Sequence, residues 1–189
     1  METDIQNAGG LKRAIFVFGP ESSGTRLWTR ILMACGCAGS GGHEQRWDIE
    51  PFVGDLIVWR RSFPHGGEWP DIKAMTYKAE SSGYRVTACV MARDPFAVLC
   101  SQVAAGHVKS LDEALERTRR AYPIIFTGLA AQGLPLVIIR YEQMMDQPYR
   151  AKVLAAIGLS EREPAEPILD GNAKYFARVP FPNHLFELQ

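Results

Sequence analysis

The chain has 189 residues, 47% of them hydrophobic and 22% charged, a composition that suits one compact domain with a sizeable core. Lys plus Arg and Asp plus Glu each total 21, so the formal net charge is zero. No global field draws the chain to nucleic acid or to an anionic membrane, and any anion site must be local. In chain order, the first segment, METDIQNAGGLKR, is polar and partly acidic where a secretory leader needs a basic and then an apolar stretch. With no run of about 18 apolar residues elsewhere, the expectation is a cytoplasmic protein with no membrane span, residues 1–12 being flexible.

Residues 14–18, AIFVF, form a continuous apolar run ending at Gly19, the mark of a strand buried on both faces of a parallel sheet. From Thr25, Leu27, Ile31 and Ala34 recur at helical spacing, and Gly36 is a stop. The following GSGGHEQRWD is a polar, glycine-rich loop and a candidate lid. A second strand is predicted over 55–60, DLIVWR, running into the loop RSFPHGGEWPD, and a third over 84–93, YRVTACVMAR. There Asp94 is an N-cap and Pro95 the first residue of a helix reaching Gly106. A long amphipathic helix over 111–131, with a kink expected at Pro123, a fourth strand in LPLVIIRYEQ and a helix in QPYRAKVLAAIGL follow. Residues 160–189, with four prolines, read as irregular. Strands alternating with helices predict one α/β domain over 1–189, three-layered, with a mainly parallel sheet. Cys35, Cys37, Cys89 and Cys100 lack zinc-ligand spacing and are too few for a disulfide framework, so they read as packing residues.

Ligands of such sheets bind beyond the carboxyl ends of the strands. The segments leaving those ends are GPESSGTR, RRSFPHGG, RDPFAVLCS and RYEQMMDQP, each with at least one arginine, and convergent arginines imply a phosphate or sulfate ligand. GPESSGTR has the G-x-x-x-x-G spacing of a phosphate-cradling loop between a strand and a helix. A nucleoside-triphosphate loop continues with Lys and then Ser or Thr, and Thr25 and Arg26 stand there instead. A magnesium-dependent kinase therefore becomes the lesser reading, and an inactive nucleotide- or anion-binding module remains open.

Three blocks of the sequence resemble the sulfotransferases that use 3′-phosphoadenosine 5′-phosphosulfate (PAPS), which have a P-loop type of fold. They are SSGTR at 22–26, RDPFAVLCS with Arg93, Pro95 and Ser101, and VIIRYEQMMDQP, and they follow the family's order across residues 15–158. The resemblance implies that Ser22, Ser23, Gly24, Thr25 and Arg26 hold the 5′-phosphosulfate and that Arg93 and Ser101 hold the 3′-phosphate. It implies PAPS as donor, 3′,5′-adenosine bisphosphate (PAP) as product, and no metal. Lys174, and with it Arg178, falls where some members place basic residues on the 3′-phosphate. The family's early loop lysine is replaced by Ser22, after Glu21, so the positive charge at the transferring group is expected from Arg26, Arg60 or Arg61. His65 is the first choice of base for a hydroxyl or amine acceptor, followed by His43, then Glu44 and Glu21. Trp47 and Trp69 are candidates to stack on an acceptor ring or sugar. ERTRR at 116–120 reads as a solvated helix face, and a small-molecule or carbohydrate acceptor and a homodimer are compatible with the chain.

Overall fold

A computed structural model describes residues 11–42, 44, 53–160 and 168. Its core is a four-stranded sheet of β1 (Lys12–Pro20), β2 (Leu56–Phe63), β3 (Tyr84–Ala92) and β4 (Leu136–Arg140). The order is β2-β1-β3-β4 and every pairing is parallel. The helices are α1 (Thr25–Ala34), α2 (Ile72–Ser81), α3 (Pro95–Ala104), α4 (Leu111–Ala131) and α5 (Gln147–Ala156).

Alternation along β1 divides the core in two. Ala14, Phe16 and Phe18 face α2 and α4 with Trp59, Met75, Val90, Ile125 and Leu129. Ile15 and Val17 face α1 and α5 with Trp28, Ile31, Leu32, Cys89 and Leu154. The sheet is thus covered by helices on both faces, which is why β1 reads as an unbroken apolar run rather than an alternating one. All four cysteines are free and buried, and burial pushes the Cys37 and Cys89 thiols up to about 12. Among the described residues no helix is long and apolar enough to cross a membrane.

Two elements depart from expectation. β2 runs on through Arg61, Ser62 and Phe63, because pairing with β1 continues from Val17↔Arg60 to Pro20↔Phe63 past the point where the apolar run ends. Between β2 and β3 lies α2, over residues to which the sequence reading gave no element; Asp71, the last residue of the expected loop, caps it by accepting from the Ala74 N–H at 3.1 Å. The other helices begin and end close to their signals: Asp94 accepts from the Ala97 N–H at 2.8 Å at the start of α3, and Pro123 lies inside an unbroken α4.

This strand order has a consequence for ligand binding. The chain leaves β1 toward α1 on one face, and leaves β3 toward α3 and α4 on the other. The two exits diverge and open a crevice at the carboxyl ends of the strands, the expected position for a ligand in an open α/β sheet.

Candidate anion-binding site

A cavity of about 730 Å³ occupies that crevice. Glu21 to Leu27 (Ser23 excepted) and Arg30 line it from the β1 exit, Gly42 and Glu44 from the segment after α1, Arg60, Ser62, His65 and Gly66 from β2, Arg93 and His107 from the β3 side, and Tyr141 from β4.

The glycine loop is shaped for close backbone approach. Ser22 has φ 68° and Gly24 φ 97°, two left-handed residues flanking Ser23, whose N–H donates to Pro20 O at 3.1 Å. A Cβ on Gly19 would lie 2.3 Å from Ser23 Oγ, and one on Gly24 would lie 2.4 Å from the Tyr141 ring. The loop is therefore pressed between β3 and the short 3₁₀ turn at Tyr141–Gln143, and only glycine fits at either end. α1 starts at Gly24 with no side-chain cap, so the N–H groups of its first turn and the positive end of its dipole open toward the cavity.

Arg93 joins the loop to the far strands. Its Nη1 donates to Ser22 O at 2.6 Å and its guanidinium lies 4.3 Å from the centroid of the Tyr141 ring. Beside it, Glu142 accepts from the Asp94 N–H at 2.8 Å and ties the ends of β3 and β4 together. Arg93 and the loop, separated in sequence, are thus in direct contact. Ser101, by contrast, is 3% exposed within α3 and does not line the cavity; Ser23 is fully buried and does not line it either.

Adjacent arginines on β2 take opposite roles because successive side chains point to opposite faces. Arg60 faces α1 and lines the cavity; Arg61 does not line it. Arg60 is 4% exposed and its Nε finds no hydrogen-bond partner among the described residues. Burial pulls its guanidinium below the usual arginine range, and the like charges of Arg26 and Arg30 add to that against the opposing pull of Glu44. Arg26 and Arg30 are one turn apart on α1, so three guanidiniums converge beside an uncapped helix start. Arg26 and Arg30 are exposed and hydrated, but the buried Arg60 guanidinium beside them is unfavourable unless an anion accompanies it, a need that Glu44 meets only in part.

Opposite this wall His65, the first choice of base, meets Glu44, which the sequence reading ranked below both histidines. Glu44 accepts from the Ser62 N–H at 3.1 Å and from Ser62 Oγ at 2.5 Å, pairs with Arg61 Nη1 at 3.5 Å, and meets His65 Nδ1 at 3.1 Å. The segment before it runs along the outer edge of β2, where Ala38 bridges Ile57, and Glu44 continues that cover by engaging the Ser62 amide. His65 pairs with Glu68 through both backbone bonds across a Gly66-Gly67 turn in which both φ angles are positive. Glu21 accepts from the Gly66 N–H at 3.3 Å and lies 3.8 Å from Arg117 Nη1, which links the glycine loop to α4. Arg117 therefore turns inward from the stretch expected to be a solvated face. Trp69 packs against the core with the Arg120 guanidinium 4.5 Å above its ring, away from the cavity lining.

His107, Arg30 and Tyr141 line the cavity without having been assigned a role from the sequence; the signals available were the spacing of Arg30 four residues after Arg26 and the place of Tyr141 in the RYEQ block at a strand exit. His43, Trp47, Lys174 and Arg178 lie outside the described residues. Chemically, the site offers a basic wall for a polyanion facing a histidine that rests on a fixed carboxylate. Neither the protein-family models nor the curated proteins compared with this chain match it.

Proposed function

We propose that the chain is a PAPS-dependent sulfotransferase of P-loop type, moving a sulfuryl group to a hydroxyl or amine acceptor. The observation that carries the reading is the contact between Arg93 and the glycine loop at Ser22 O, which unites two of the three resembling blocks in one cavity. The donor's chemistry also fits the residues present. An uncapped helix start, a left-handed glycine loop and the orphaned Nε of Arg60 all suit an anionic group such as a phosphosulfate. Bound PAPS supplies an activated sulfuryl group that leaves from its 5′-phosphate.

In this reading the first-turn amides of α1, from Gly24 to Arg26, orient the phosphosulfate, and Arg93 holds the 3′-phosphate. Arg60 and Arg26 provide the positive charge that the loop lysine supplies elsewhere in the family, preorganised by the sheet and helix they stand on. Arg61, turned to the other face and paired with Glu44, serves the acidic cluster instead. His65 accepts the proton of the acceptor. The free, buried cysteines accord with a cytoplasmic setting.

Titration calorimetry with PAP, set against ATP plus magnesium, tests the reading. PAP is expected to bind in preference to ATP, and Arg93→Ala to weaken PAP by about tenfold or more. Preference for ATP with magnesium would point to a kinase, whereas PAP binding without sulfuryl transfer to any of a panel of sugars, phenols and amines would leave a binding module.

A further inference from the structure

We propose that Glu44 is a positioning residue that fixes the tautomer of His65, so that Nδ1 carries the proton and Nε2 is the nitrogen that takes the acceptor's proton; this rests on the sulfotransferase reading. The placement of Glu44 is set by the backbone rather than by a surface rotamer. Its side chain is 7% exposed and its two oxygens face the Ser62 amide at 3.1 Å each, the Ser62 hydroxyl at 2.5 Å and Arg61 Nη1 at 3.5 Å. A carboxylate accepts and does not donate, so the ring nitrogen 3.1 Å from Oε2 is the one bearing hydrogen.

The ring is anchored as well as oriented. The backbone of His65 is locked to Glu68 by two hydrogen bonds, and the turn between them is fastened to Glu21 through the Gly66 amide at 3.3 Å. Both residues line the cavity, but the histidine side chain is 45% exposed and the carboxylate only 7%, so the ring offers its free edge to a ligand while Glu44 is held against the wall. During transfer the acceptor oxygen bonds to sulfur as the bond from sulfur to the 5′-phosphate oxygen breaks. The acceptor's proton passes to His65 Nε2, and the Nδ1–H bond to Glu44 persists. Glu44 thus faces the positive charge that develops on the ring, and Arg61 and Ser62 keep the carboxylate from turning away.

Long-range proton–nitrogen NMR of the ligand-free chain, with the His65 signals assigned through His65→Ala, reads the tautomer directly. The Nδ1–H form is expected in the unaltered chain, and Glu44→Gln, which retains the shape and an acceptor for the Ser62 amide, is expected to lose that commitment. In kinetics Glu44→Gln should lower kcat by about tenfold or more with little change in KM for PAPS, and His65→Ala by about 10²- to 10⁴-fold. Because Glu44 acts through the ring, adding Glu44→Gln to His65→Ala should cost nothing further. An Nε2–H tautomer in the unaltered chain, a tautomer indifferent to Glu44→Gln, or additive losses in the double variant each overturn the proposal. An unaltered chain that transfers no sulfuryl group overturns the sulfotransferase reading itself, and the role of Glu44 in catalysis with it. PAP binding retained by Glu44→Gln shows that the variant is folded.

Discussion

Gly24 concentrates the demands on the loop into one residue. It combines a φ of 97° with a Tyr141 ring 2.4 Å from the position a Cβ would take. Gly24→Ala therefore meets two penalties, a left-handed backbone and a steric conflict with a ring that is itself stacked on Arg93. The expected cost is about 1–3 kcal/mol of stability together with loss of PAP binding, since the ring can yield only by disturbing Arg93. Equal PAP affinity in the alanine variant would show that the loop does not approach the ligand. At this scale the sequence revealed residues whose role follows from their place on a strand: Gly24, Arg60 and Arg93 all follow or close an apolar run. It did not reveal the division of labour between Arg60 and Arg61, which depends on how far β2 continues. It named Glu44 only as a lesser candidate base and did not reveal its partners, which come from a strand edge 18 residues away, nor did it reveal that Arg117 reaches Glu21 from α4.

Among the elements, α4 shows how tertiary packing overrides local preference. Pro123 lies inside its 21 residues, where it removes an amide from the helix ladder and crowds the preceding turn. The helix persists because Ala114, Thr118, Ala121, Ile125 and Leu129 keep one face buried on both sides of the proline. Pro123 itself is exposed, so Pro123→Ala removes the conflict without opening a cavity. A gain of about 1–3 kcal/mol is expected, read as an upward shift of the unfolding midpoint. A loss would mean that the backbone geometry set by Pro123 is needed to bring the Tyr122 hydroxyl to Met91 O, which it reaches at 3.1 Å. α2 is the opposite case. Its buried stripe is Ile72, Met75, Thr76 and Ala79, too small and too polar to stand out beside lysines and a glutamate, although Asp71 before it and Gly83 after it were punctuation for a helix. Local apolar contrast made β1, α3 and α4 legible, and its weakness hid α2 and the end of β2.

For the whole molecule, a net charge of zero conceals an uneven distribution: Arg26, Arg30, Arg60 and Arg93 line one cavity against two carboxylates, Glu21 and Glu44. The fold accepts this because the positive charges stand at the carboxyl end of a sheet whose two hydrophobic halves are complete without them. Function and stability are then set against each other at Arg60, which is 4% exposed and held below the usual arginine range by burial. Replacing it with the unbranched, uncharged methionine removes the desolvation and the repulsion from Arg26 and Arg30 while keeping most of the packing volume. Arg60→Met is expected to stabilise the ligand-free chain by about 1 kcal/mol or more. In the unaltered chain Glu44 offsets part of this cost, and a bound anion adds the larger compensating interaction. PAP at about a hundred times its dissociation constant contributes roughly 2.7 kcal/mol, a rise of about 5–10 °C in Tm for a chain of this size. In Arg60→Met that ligand-induced rise should largely vanish, so the variant melts higher than the parent alone and lower than the parent with PAP. Thermal melts of both chains with and without PAP check this. A variant that melts lower than the ligand-free parent would make Arg60 a structural residue held by Glu44, and would move the source of catalytic charge to Arg26.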